Sequence, residues 1–394
     1  MRVIPQVLRR PALVAAIGCL AFLLIGWSGL LVPSLAPEIE ARFRQTDAGL
    51  GLFYFLNAAA YAVASVLGGL VTERIGRRSV LVLAAALHAA GLVAQGGADT
   101  WVLFTIGGLV RSLGAGALDG GVNGLAVDLY AGSRGRALNL VHLFFALGAL
   151  GAPFLVAARG AVGISWEAII VATGLATVPL VILLAVSDLA DGRRRAVVAV
   201  PGRIASSMLT RPMLLLGLAI GCYVAGEIGV SSWLVRFLAA APAGVATSAL
   251  GLYWAGLTVG RLAAARYADR FDHAKLGIAA IVVASVALVA AVAVPSLELS
   301  IVLFTVVGFA SGPIYPLIMA IGGERFPDRG AAMTGTLGAA AVLGSLVYPP
   351  LMGVISVTAG LPLAMLGTAA ITAGGAVALV ALGVGRPATR RAPA

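Results

Sequence analysis

Stretches of about 20 mainly apolar residues, the length needed to cross a bilayer core, recur through this chain and leave it few other ways to fold. By that rule the spans fall at roughly 12–35, 48–71, 79–97, 101–127, 138–158 and 166–187. After a gap they resume at roughly 213–238, 247–265, 276–294, 299–322, 331–355 and 362–384. The expectation is an all-α membrane protein with twelve transmembrane helices. Composition agrees, because only 11% of the 394 residues are charged and 60% are hydrophobic, too little charge to cover a soluble surface. Arg9 and Arg10 before the first span, and "PSLAPE" after it, resemble the flanks of a signal peptide. The apolar run between them is too long for a signal core, so it reads as a helix that stays.

Lys and Arg are retained on the cytoplasmic side of a membrane. Here they gather in alternate loops and both tails: Arg2, Arg9 and Arg10; Arg74, Arg77 and Arg78; Arg134 and Arg136; Arg193, Arg194, Arg195, Arg203 and Arg211. The series continues with Arg266, Arg270 and Lys275, then Arg325 and Arg329, then Arg386, Arg390 and Arg391. Only Arg42, Arg44, Arg159 and Arg236 fall on the opposite side, and Arg111 and Arg261 lie within spans. The net charge of +11 therefore reports topology, not nucleic-acid binding. Both termini are expected in the cytoplasm of a cell whose plasma (inner) membrane holds the chain.

The gap from Ser187 to Pro212, rich in charge and proline, bisects the chain. It divides residues 1–187 from residues 213–394, with 188–212 as a cytoplasmic linker. The halves echo each other. "IGCLAFLLIG" opens the first span and "IGCYVAGEIG" the seventh, with Cys19 and Cys222 in register. "GLVTERIGRR" follows the second span and "ARYADRFDHAK" the eighth. Copies with an even number of spans are parallel, related by an axis along the membrane normal. Both cysteines lie in apolar segments, which argues against a disulfide framework or a metal site.

Gly69, Glu73, Arg74, Gly76, Arg77 and Arg78 resemble the loop motif of the major facilitator superfamily, with Glu in place of the usual Asp. The resemblance extends over essentially the whole chain and implies two pseudo-symmetric six-helix bundles. It also implies a gating role for those loops, here Glu73, Arg74, Arg77, Arg78, Asp269 and Arg270. More narrowly, "RSLGAGALDGGVNG", "RALNLVHLFFALGALGAP" and "GFASGPIYP" look similar to the fucose:proton symporter branch. The glycine-proline motif common in the superfamily's antiporters is broken after Pro153 by Phe154-Leu155, which weighs against drug export.

Of the sixteen acids, fourteen fall in loops or at helix ends; Asp119 and Glu227 do not. Ionised groups at the bilayer centre cost about 2.5–3.5 kcal/mol on insertion scales, so they face a bundle interior or a wet cavity. Either could exchange a proton as its exposure alternates, or serve as a fixed helix–helix contact. Arg111 lies where it can share the cavity of Asp119, and the resemblance implies a part in proton coupling for it. An ion pair that only packs helices is the other reading.

Trp27, Asn57, Tyr61, Asn123, His142, Tyr223, Trp233, Trp254 and Tyr315 lie at matching depth and are candidates for the substrate cavity. Aromatic faces beside amides and hydroxyls suit a sugar or another small hydroxylated solute. Pro33, Gly226, Pro313, Pro316, Pro349 and Pro350 are placed to permit helix kinks.

No phosphate-binding loop, metal spacing or nucleophile motif is present, which disfavours an ATP-driven pump. Neither an enzyme nor a cofactor-dependent protein is expected. The favoured reading is a monomeric, proton-coupled importer of a small polar solute. Proton-driven export of drugs or amphipathic metabolites, and a non-transporting receptor or scaffold, are the alternatives.

Overall fold

The structure is a computed structural model that describes residues 11–129, 134–187, 189, 210–242 and 244–383. Among the described residues there are fifteen α-helices, of which all but the short α2 build the twelve spans. The first half runs α1 Pro11–Ser34, α2 Ala36–Phe43, α3 Asp47–Ile75, α4 Arg77–Gly96, α5 Trp101–Leu129, α6 Arg134–Ala158, α7 Trp166–Ala176 and α8 Val178–Val186. The second runs α9 Arg211–Phe237, α10 Val245–Tyr267, α11 His273–Ala293, α12 Leu297–Ser311, α13 Ile314–Arg325, α14 Gly330–Ala359 and α15 Leu361–Ala381. Most of the expected linker lies outside the described residues.

Among the described residues, eleven helical stretches are long and apolar enough to cross a membrane. The eighth span in order is α10, which is long enough at 23 residues but less apolar, with Arg261 and Arg266 in its second half. Side chains such as Val66, Val102, Val286 and Val377 stand exposed on the outside, as lipid-facing residues do.

Two spans expected to be continuous are broken. The sixth divides between α7 and α8 at Thr177, where Pro179 supplies no N–H to the helix ladder. The tenth divides between α12 and α13 at Gly312-Pro313 for the same reason. Pro33, Pro349 and Pro350 stay inside their helices. The short amphipathic α2 was not expected from the apolar pattern. Its buried face is Ala36, Ile39 and Glu40.

Packing repeats between the halves. In the first, α1 packs on α6, α5 on both α3 and α4, and α4 on α7. In the second, α9 packs on α14, α12 on both α10 and α11, and α11 on α15. The halves meet through α3 against α14 and α6 against α10, again equivalent pairs. Two pseudo-symmetric six-span bundles therefore face each other across one seam.

Candidate functional site: a central cavity sealed at one end

A cavity of about 1260 Å3 lies between the bundles. Its wall extends to Asp269 and His273, so it opens at the end carrying the basic loops after α3 and α10. Asn57, Tyr61, Arg111 and His142 line it from the first half; Glu227, Trp254, Arg261 and Tyr315 line it from the second.

Close helix contacts fix the charged groups. A Cβ on Gly91 of α4 would overlap the backbone of Arg111, and one on Gly312 would lie 2.5 Å from the backbone nitrogen of Arg261. Glycine at both places lets the helix carrying each arginine sit hard against its neighbour. The Arg111 guanidinium is buried and donates to Asn57 Oδ1 (3.3 Å), Ser112 Oγ (3.2 Å) and the Ser28 carbonyl (3.5 Å). The Ser112 hydroxyl donates to the same Asn57 oxygen at 2.8 Å. All of these acceptors are neutral.

Glu227 stands on the wall of the large cavity and also borders a second one of about 10 Å3, the room a single water needs. Tyr223, Tyr253, Ser311 and Thr372 complete that small chamber. Asp119 is set back from the cavity. It accepts from Asn123 Nδ2 at 3.2 Å and lies beside Tyr61, which does reach the cavity.

Other expected residues divide. His142 is exposed to the cavity and meets Phe22 edge-on at 5.1 Å. Trp254, Tyr61 and Tyr315 are on the wall, while Tyr223 reaches only the small chamber. Asn123 remains behind the wall with Asp119. Two placements need correction. Trp27 turns into the first bundle, where its Nε1 donates to Thr173 Oγ1 at 3.2 Å and its ring lies against Gly151. Trp233 is fully buried at the sealed end and donates to the Pro349 carbonyl at 2.8 Å. Both are apolar rings with one donor to satisfy, and packing took them.

At the end with the basic loops, the described contacts of Asp269 and Arg270 stay within the second half. Asp269 is fully exposed and lies 3.6 Å from His273, and Arg270 lies over the Tyr267 ring. Arg74 is exposed and Arg78 half-buried, and the Glu73 side chain lies outside the described residues. The cavity opens at this end.

A lock lies at the opposite end and was missed from sequence. Arg236 of α9 reaches across to Glu40 (2.6 Å) and Asp47 (2.9 Å) of the first half. Ser356 of α14 donates to Asp47, Tyr54 donates to the Ser232 carbonyl (3.2 Å), and Thr247 to the Ser34 carbonyl (3.3 Å). Beneath them Gly51 and Gly353 let α3 and α14 touch backbone to backbone. The signal available was Arg236 together with Arg42, Arg44 and Arg159, the basic residues on the wrong side of the charge pattern.

Burial pushes the Glu40 carboxyl up to about 8, helped by adjacent Asp47 and opposed by Arg236. A carboxyl raised in the sealed arrangement and ordinary when opened to water makes sealing take up a proton. The contribution of Glu40 to the sealed state is therefore complete below the ordinary value of 4.5 and is lost as pH rises through about 8. Spin labels at Ala41→Cys and Ala240→Cys, in a chain lacking Cys19 and Cys222, should show this end widening between pH 5 and pH 9, a window set by that shift. Glu40→Gln should flatten the profile.

Two bundles around a central cavity open at one end define the class, a multi-pass membrane carrier. The profile of the major facilitator superfamily matches residues 16–240 and 215–394, and the chain belongs to that superfamily. A rat protein named sodium-dependent glucose transporter 1 is 30% identical over 135 residues, which are 34% of this chain and 28% of that one. The chain thus matches well under half of that relative's length. A bacterial homologue of the human lysosomal transporter Spinster, in an inward-facing, occupied conformation, superposes with a TM-score of 0.77 at 16% identity, covering 94% and 96% of the two chains. The E. coli fucose:proton symporter gives 0.65 at 20% identity over 95% and 99%. At these identities the structural likenesses speak to the fold.

Proposed function

We propose that this chain is a secondary active transporter that moves a small polar, sugar-like solute together with protons by alternating access. It would occupy the plasma (inner) membrane with both termini cytoplasmic, and the structure would then be its inward-open state. Residues 1–187 and 213–394 are the two moving bodies, joined by 188–212.

The single observation that supports coupling is the setting of Glu227. It is an acid in the middle of α9, on the wall of the central cavity and against a water-sized chamber, and no ion pair is formed by it among the described residues. Such an intramembrane acid is functional by default. Neutralised by a proton, it crosses between states without moving a bare charge. Arg111, Asn57 and Ser112 form a rigid polar floor on the other side, with Asp119 behind Tyr61 as a second acid. The names of the rat relative and of the fucose symporter favour a sugar-like solute.

Solute added to energised vesicles should drive proton uptake, and Glu227→Gln should abolish that uptake while leaving binding measurable. Transport that follows a sodium gradient and ignores the proton gradient, in wild type and variant alike, would remove the proton reading. A second reading, export of an amphipathic compound, draws on the many apolar residues of the same wall, such as Val14, Leu125 and Leu262. It requires that deletion of the chain lower tolerance to such compounds.

A further inference from the structure

The central cavity carries two guanidinium groups that form no ion-pair contact among the described residues, although Glu227 lines the same wall. Arg111 comes from α5 and Arg261 from α10, one from each half, and both are on the cavity wall. The bonds that Arg111 makes go to neutral acceptors, and its Nε has none. Arg261 makes no hydrogen bond or ion pair among the described residues, and its buried Nε is likewise without an acceptor. Trp254, on the wall and two helical turns before Arg261 in α10, leaves a third buried donor unused at Nε1. Unpaired donors are thus concentrated on both faces of one cavity.

Arg111 is buried and Arg261 half-buried; removing a guanidinium from water without a counter-ion is costly, and buried charges are ordinarily paired. The acids nearby do not close the account. Glu227 shares the wall, yet no ion-pair contact joins it to either arginine; Asp119 is set back and held by Asn123; Asp269 stands out at the mouth. Once Glu227 carries the coupled proton, two cations face the cavity with no acid on the midplane wall ionised. Guanidinium groups present a planar fork that matches an oxyanion with two parallel hydrogen bonds. Arg261 is also within electrostatic reach of His142 across the seam and of Tyr315 on its own side. Those neighbours add donors suited to hydroxyls.

We propose that the transported solute is a hydroxylated organic anion whose carboxylate or phosphate group is held by Arg261 and Arg111, one from each bundle. This rests on the carrier reading above and narrows its solute from a neutral sugar to an acidic one. Carrying the anion with a proton on Glu227 makes the loaded carrier closer to electroneutral than either charge alone. Contact with both halves would also let the anion draw them together.

The test is a titration of purified protein, read by Trp fluorescence and by thermal stabilisation, with D-gluconate, D-glucuronate, D-glucose 6-phosphate, D-glucose and L-fucose. The expected result is saturable binding of one or more of the acids, with the neutral sugars at least about tenfold weaker, as loss of a charge-assisted contact predicts. The carboxylates and the phosphate ester distinguish the two oxyanions. Arg261→Gln should weaken the acid by about tenfold or more and Arg261→Lys should recover part of it, because a point charge replaces a fork. Neutral sugars binding as well as the acids, no acid binding at all, or an acid whose affinity ignores Arg261→Gln would each overturn the proposal. Acid binding without proton uptake would instead leave the anion site standing and remove the coupling. Neutral-sugar binding with proton uptake would do the reverse.

Discussion

Replacing Arg236 with alanine is expected to open the sealed end and shift the carrier away from the conformation described here. Arg236 is the only basic side chain in ion-pair contact with Glu40 and Asp47 among the described residues, and those two carboxyl groups are each 10% exposed. Without it, two adjacent acids are buried together with no cation. Removing one partner of a buried pair costs about 3–5 kcal/mol, and the 35% exposure of Arg236 places this case lower, at about 2 kcal/mol. That is roughly a thirtyfold change in the balance between states, since about 1.4 kcal/mol is a factor of ten. The spin-label pair at positions 41 and 240 should therefore lengthen and broaden in Arg236→Ala. The difference from wild type should be largest near pH 6, because by pH 9 the wild type has itself widened as Glu40 ionises. A distance distribution identical to wild type would show that the glycine contacts of α3 and α14, not the ion pairs, hold this end shut.

The ends and order of the spans were legible because lipid imposes one length and one polarity on every crossing segment. Duplication was legible too, from the echo at Cys19 and Cys222. What a linear pattern does not carry is the rotation of each helix about its axis. Trp27 and Trp254 both lie within apolar spans, yet one turns into a bundle and the other toward the cavity. Asp119 and Glu227 likewise both read as intramembrane acids, and only Glu227 reaches the wall. The Arg236 lock was hidden for a different reason. Its partners Glu40 and Asp47 lie at helix ends nearly two hundred residues away, where charged residues ordinarily meet interfacial water. Arg261 was visible as a basic residue within a span, but its lack of a partner is a fact of three dimensions.

Gly148→Val is expected to prevent the first bundle from assembling. A Cβ at Gly148 of α6 would overlap the Leu23 carbonyl and come within 2.8 Å of the Trp27 nitrogen, while one at Gly26 of α1 would overlap the Phe145 carbonyl. The two glycines thus let α1 and α6 touch backbone to backbone, and a side chain there has no flexible neighbour to push aside. Overpacking costs about 1–3 kcal/mol where neighbours yield; here two backbones must separate, which places the cost at or above that range. The separation would also displace Phe145 and His142 from the cavity and move α6 off α10 at the seam. Size-exclusion chromatography of the expressed variant should show little monodisperse protein. Gly124→Val in α5 is the matched control, since no heavy atom lies within 4 Å of a Cβ there. Helix propensity and membrane insertion change alike in the two variants, so a loss confined to Gly148→Val isolates the backbone contact. Equal yields would mean that α1 and α6 have room to part, and with it that the cavity wall they build is softer than its geometry implies.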